Sequence, residues 1–115
     1  MSVIFHLVRK SEWEGRSSLQ EYSAPSLAQE GFNHCSENEG QLLAVARRLY
    51  AGEVDLLVLE LETDLLTSRL MREPSRSGEV YPHIYGPINT HAVVAVRELL
   101  TGNDGEFFLG EPNSG

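Results

Sequence analysis

The run VDLLVLEL at positions 54–61 constrains this chain more than any other segment. It is almost continuously aliphatic and lacks the polar alternation of a strand with one wet face. It fits a central strand buried on both sides, so material must pack above and below it. Its one interior acid late in the run, Glu60, has two readings: a carboxylate in apolar surroundings with a raised pKa, or a solvent-facing residue on a one-sided strand. Only one segment is long enough to serve as a standard parallel crossover. It is the helix expected after Ser36, with Leu42, Val45, Ala46 and Leu49 at helical spacing and Gly52 beyond its end. With a single long helix, the predicted class is α+β: a mixed, mostly antiparallel split β-sheet with one longer helix and short helical turns.

The flanking segments fill in that plan. Residues 3–8 alternate, placing Val3, Phe5 and Leu7 on one face and Ile4, His6 and Val8 on the other. Capping boxes are read at Ser11 with Glu14, Ser26 with Gln29 before Gly31, and Ser36 with Glu39. Short strands are expected at 32–36 and 70–73, a capped turn at 63–68 and a mobile loop at 74–78. A strand at 79–85 contains Pro82, which points to an edge position or a bulge. Asn89 is read as the cap of a turn through Ala92. An apolar strand at 93–100 then joins a hairpin partner at 106–109 through Gly102-Asn103-Asp104-Gly105. Positions 1–109 make a single globular domain and 110–115 a disordered tail.

Charge and cysteine usage narrow the setting. Nine basic residues against 17 acidic ones give a net charge of −8, which disfavours general binding to nucleic acid or anionic membrane. No apolar run approaches the roughly 20 residues that span a bilayer. The N-terminal apolar stretch precedes its basic residues, the reverse of a secretory signal. The single cysteine, Cys35, has no internal disulfide partner, so a cytoplasmic setting is expected. No heptad or repeat signals an oligomeric state.

Chemistry concentrates in two places. GEVYPHIYGP at 78–87 puts Glu79, Tyr81, His83 and Tyr85 on one face of an extended strand and Val80, Pro82 and Ile84 on the other. GFNHCS at 31–36 likewise separates Phe32, His34 and Ser36 from Asn33 and Cys35. His34 and Cys35 therefore point apart and do not make a nucleophile pair, and Cys35 reads as a small buried hydrophobe. Arg69, Arg72 and Arg76 either form a local anion pocket or pair with Glu73 and Glu79 on a solvated loop. His6, His34 and His83 each sit on a predicted strand, but the chain has no close His or Cys pair of metal-site spacing, and no metal is expected. His91 reads as an exposed turn residue. Glu79 lacks an obvious second acid for glycosidase chemistry. There is no GxxxxGK[ST], no GxGxxG and no Gly-x-Ser-x-Gly elbow.

FHLV, SLAQEGFNHCS, LLVLELE and GEVYPHIYGPINTHAVVAV together resemble a family of small bacterial proteins known as domain of unknown function 952. Through it, the chain is similar to the ADP-ribosyltransferase-like superfamily, whose split β-sheet holds NAD in a central cleft. The resemblance implies an NAD- or nucleotide-binding domain, with ADP-ribosyl transfer or NAD cleavage as the activity. Glu79 and His34 would be the catalytic residues, with Glu79 stabilising the oxocarbenium character at the ribose. His6, Ser36, Tyr81, His83 and Tyr85 would position the ligand, and Arg72 or Arg76 would meet its pyrophosphate. Histidine-rich branches of that superfamily act on RNA 2′-phosphate without the acid. Two other classes stay open: a noncatalytic module binding a small metabolite or protein, and a metal-dependent hydrolase using His6, His34 and His83.

Overall fold

The computed structural model of the protein describes residues 2–15 and 19–112. The chain runs β1 (Val3–Arg9), α1 (Lys10–Glu14), β2 (Glu21–Tyr22), α2 (Pro25–Glu30), β3 (Asn33–His34) and α3 (Glu39–Leu49). It continues with β4 (Leu56–Glu62), β5 (Arg69–Pro74), β6 (Val80–Tyr85), β7 (Ile88–Asn89), β8 (Val93–Thr101) and β9 (Phe107–Leu109). Short 3₁₀ turns stand at Thr63–Leu65 and Thr90–Ala92. The sheet order is β1-β4-β8-β9 in one sheet and β3-β6-β5 in a second, with β2-β7 as a separate pair, and every pairing is antiparallel.

β4 is the central strand that its composition predicts. Leu57, Leu59 and Leu61 face a core completed by Ile4, Val8, Trp13, Tyr22, Cys35, Ile84 and Ile88. Leu56 and Val58 face the opposite core with Leu42 and Ala46 of α3, Leu99 and Phe107. The alternation read in β1 holds as well, with Ile4, His6 and Val8 buried and Val3, Phe5 and Leu7 partly covered. Glu60 is neither alone in the core nor free in water, since Arg97 lies across from it at 3.3 Å. Val54 falls outside β4 and is exposed, and Leu49 at the end of α3 is exposed too.

The capping boxes are a correction. α1 follows Arg9 and α2 follows Ala24, each without a side-chain cap, and Pro25 opens α2 with its preset φ. α3 is capped by Asn38, whose carboxamide accepts from the Gln41 N–H at 2.8 Å. Ser36 is unavailable for that role because its backbone is bridged to Phe5, with Phe5 N donating to Ser36 O at 2.9 Å and Ser36 N to Phe5 O at 2.7 Å. Gly31 does close α2, in the left-handed region at φ 90°. Asn89 precedes its 3₁₀ turn without capping it and ties down the 65–67 loop instead, accepting from Thr67 N and donating to Leu65 O.

Pro82 is a second correction, because β6 is the middle strand of its sheet. Its carbonyl accepts from Cys35 N at 3.1 Å. N–H and C=O of one strand residue point to the same side, so the missing donor faces the place where the two-residue β3 has just ended. The one bond given up lies at that end, where Cys35 stands opposite Pro82 and its carbonyl meets no donor from the proline. Gly110, expected in a frayed tail, is tied to β8 through its N–H on Glu98 O and its carbonyl on the Arg97 guanidinium, both at 2.8 Å. Positions 113–115 of the predicted tail lie outside the described residues.

Candidate ligand cleft

The two larger sheets meet along the outer edge of β1, and the only isolated bridge joining them among the described residues is Phe5–Ser36. Because Phe5 turns its N–H and C=O outward to Ser36, the same alternation turns the main chain of Leu7 outward, where no backbone partner meets it among the described residues. A cleft of about 740 Å³ opens beside this edge. Its walls are β1, the start of α2, residues 32–36, one side of α3 and the β5–β6 turn.

His6 forms the floor. It is 2% exposed, and its Nδ1 lies 2.6 Å from the carbonyl of His34. A carbonyl only accepts, so Nδ1 carries the hydrogen and Nε2 is a bare acceptor. Nε2 is buried and has no partner, the only such side-chain atom among the described residues. Burial pushes the imidazole pKa down to about 4, so the ring is neutral at ordinary pH. Cys35 sits behind it, with Sγ 4.0 Å from the already protonated Nδ1. Burial raises the thiol above its usual range, so this contact produces no thiolate.

Two of the histidines on the cleft wall are paired with carboxylates. His83 Nδ1 is 2.8 Å from Glu73 Oε1, and the hydroxyl of Tyr85 donates to the same oxygen. The hydrogen bonds from Tyr85 and His83 hold the Glu73 carboxyl below the usual range. His34 Nε2 is 2.7 Å from Glu30 Oε2. Phe32 stacks on His83 at 4.0 Å between centroids and 22° between planes, and it meets His34 edge-on at 4.8 Å. The two imidazole centroids are 5.5 Å apart, fixed by the direct pairing of His34 with His83 across β3 and β6.

The cleft thus gathers His6, His34, Ser36, Arg76, Tyr81 and His83 and leaves out three residues read from sequence. Glu79 is exposed beside α3, accepting from Gln41 Nε2 at 3.3 Å. Arg72 is held by both oxygens of Glu37 at 2.8 Å, which lowers the Glu37 pKa and consumes the guanidinium fork. Tyr85 is directed to Glu73 and is not on the cleft wall. The three histidines do not converge either: among the described residues no three His, Cys, Asp or Glu side chains form a group able to hold a metal ion.

Sequence reasoning missed Glu30, Glu73, Phe32 and Arg48. Glu30 lies within SLAQEGFNHCS but carries no role there, and only strand pairing brings Glu73 opposite the 81–85 segment. Phe32 lay in plain view in GFNHCS as a polar-face neighbour of His34. Arg48 follows the helical period onto the cleft side of α3, where it has no hydrogen bond or ion pair among the described residues. Arg76 is likewise unpaired, whereas Arg9, also on the wall, is committed to Glu53 at 3.2 Å.

These features define an α+β domain with split antiparallel sheets and a polar cleft at their junction. The chain belongs to a family of proteins of unknown function, DUF952, whose model matches residues 7–96. It is similar to the crystal structure of protein CC0527 from Caulobacter crescentus, at 28% identity over 93% of this chain and 94% of that one, with a TM-score of 0.79. The solution structure of CC0527 is similar at 26% identity, covering 92% and 91%, with a TM-score of 0.78. No curated protein matches the chain. No helix among the described residues is long and apolar enough to cross a membrane.

Proposed function

We propose that the cleft binds a small anionic ligand of the nucleotide class, with NAD the first candidate, and that ADP-ribosyl transfer or NAD cleavage is the activity it serves. The observation that carries this reading is the bare, buried Nε2 of His6 in a cleft whose wall also presents Arg48 and Arg76, neither with an ion partner among the described residues. A neutral imidazole nitrogen with no partner accepts a hydroxyl hydrogen, as a ribose offers, and leaving it unpaired in the dry state costs about 1–3 kcal/mol. Free guanidiniums in a protein of net charge −8 suit a pyrophosphate better than a general polyanion. The outward N–H and C=O of Leu7 match a carboxamide, and the cleft volume lies within the range of small-ligand sites.

Calorimetric titration with NAD, ADP-ribose and nicotinamide tests the reading. NAD and ADP-ribose are expected to bind, more weakly to His6→Phe and to the double variant Arg48→Ala/Arg76→Ala. No heat with any of the three at millimolar concentration rejects it. The placement of Glu79 outside the cleft favours a second reading, a noncatalytic module for the same ligand class, in which bound NAD is recovered intact after prolonged incubation.

A further inference from the structure

We infer that Glu73 and His83 form a general-base dyad, with His83 Nε2 the atom that takes the proton from an acceptor hydroxyl or water; this rests on the NAD reading above. Three features support it. First, the Glu73 carboxylate fixes the hydrogen on Nδ1 at 2.8 Å, which leaves the lone pair on Nε2. Second, the ring cannot turn freely: Phe32 is stacked on it, and Tyr85 donates to the same Glu73 oxygen that meets Nδ1, holding that oxygen in place. Third, Nε2 has no hydrogen-bond partner among the described residues, yet it is absent from the buried unpartnered atoms, so it is open where His83 lines the cleft.

The chemistry needs only a base. When the C1′–N bond of NAD breaks, its electron pair goes to the pyridinium nitrogen and nicotinamide leaves neutral, so no acid is required. The acceptor oxygen bonds to C1′, its proton passes to His83 Nε2, and the positive charge lost from the pyridinium reappears on an imidazolium facing Glu73. Glu79 has no part in this step. His34, paired with Glu30 across the same wall, is a positioning neighbour whose ring closes the space beside His83.

The test measures nicotinamide release from NAD by chromatography, alongside NAD affinity by calorimetry, in wild type, His83→Gln and Glu73→Gln. Wild type is expected to release nicotinamide. His83→Gln should lose about 100-fold or more in kcat with NAD affinity retained. Glu73→Gln, which no longer fixes the hydrogen on Nδ1, should lower kcat with NAD affinity retained, and a merely structural role would instead move affinity and turnover together. Heat of NAD binding without nicotinamide release overturns the dyad and leaves the binding reading standing. Wild-type turnover in His83→Gln also overturns it, and absence of NAD heat overturns both. If His83→Gln loses the wild-type amide spectrum, the split between kcat and NAD affinity in Glu73→Gln decides, and wild-type kcat there overturns the dyad.

Discussion

At the scale of the residue, His6 joins fold and site in one ring. Its Nδ1–H bond to His34 O holds the junction of the sheets, and its Nε2 is buried without a partner in a residue that lines the cleft. Burial places its folded-state pKa near 4 against an ordinary 6.5, so between these values the unfolded chain binds more protons than the native one. The sign follows: His6 leaves stability untouched above pH 6.5 and withdraws it as pH falls towards 4, by about 3 kcal/mol in total. Urea unfolding of wild type and His6→Leu at pH 7.5 and pH 4.5 measures this. Wild type should lose more stability between the two pH values than the variant, whereas carboxylates such as Glu37 contribute equally to both. Identical losses would rule out a buried neutral His6.

At the scale of the element, the GFNHCS segment shows how much structure a six-residue stretch can organise. Asn33 is fully buried, accepting from Ala24 N and donating to Gly86 O, both at 2.8 Å, so one side chain ties the start of α2 to the turn after β6. Asn33→Ala removes the partner from two partly buried backbone groups and empties a fully buried side-chain site, and should cost about 2–4 kcal/mol. The exposed cap variant Asn38→Ala should cost about 1 kcal/mol. Chemical denaturation of the two variants compares them, and equal costs would contradict the stapling role. Period-2 alternation in β1 and β6, the apolar run of β4 and the Gly102–Gly105 hairpin were legible in sequence because each depends on local pattern alone. The caps were not, because Ser36 answers to Phe5, a partner 31 positions away. Pro82 was misplaced because its tolerance depends on where β3 stops. In the site, the histidines stood out as rare residues in dense motifs, while Glu30 and Glu73 are two carboxylates among 17 acidic residues and acquire meaning only through pairing.

At the scale of the whole molecule, two sheets share a core around Leu59 and Ile84 but, among the described residues, only one isolated backbone bridge, and the cleft occupies the edge that this leaves open. Cys35 lies at that junction, 5% exposed behind His6, and it is the chain's only thiol. It is therefore an internal clock for opening. A thiol reagent in excess labels one site, and only when the sheets part far enough to admit it. If the junction opens only with the whole domain, the labelling free energy should fall with urea along the same slope as global unfolding. A shallower slope would show the sheets separating on their own, and saturating ligand in the cleft should then slow the clock selectively in that regime.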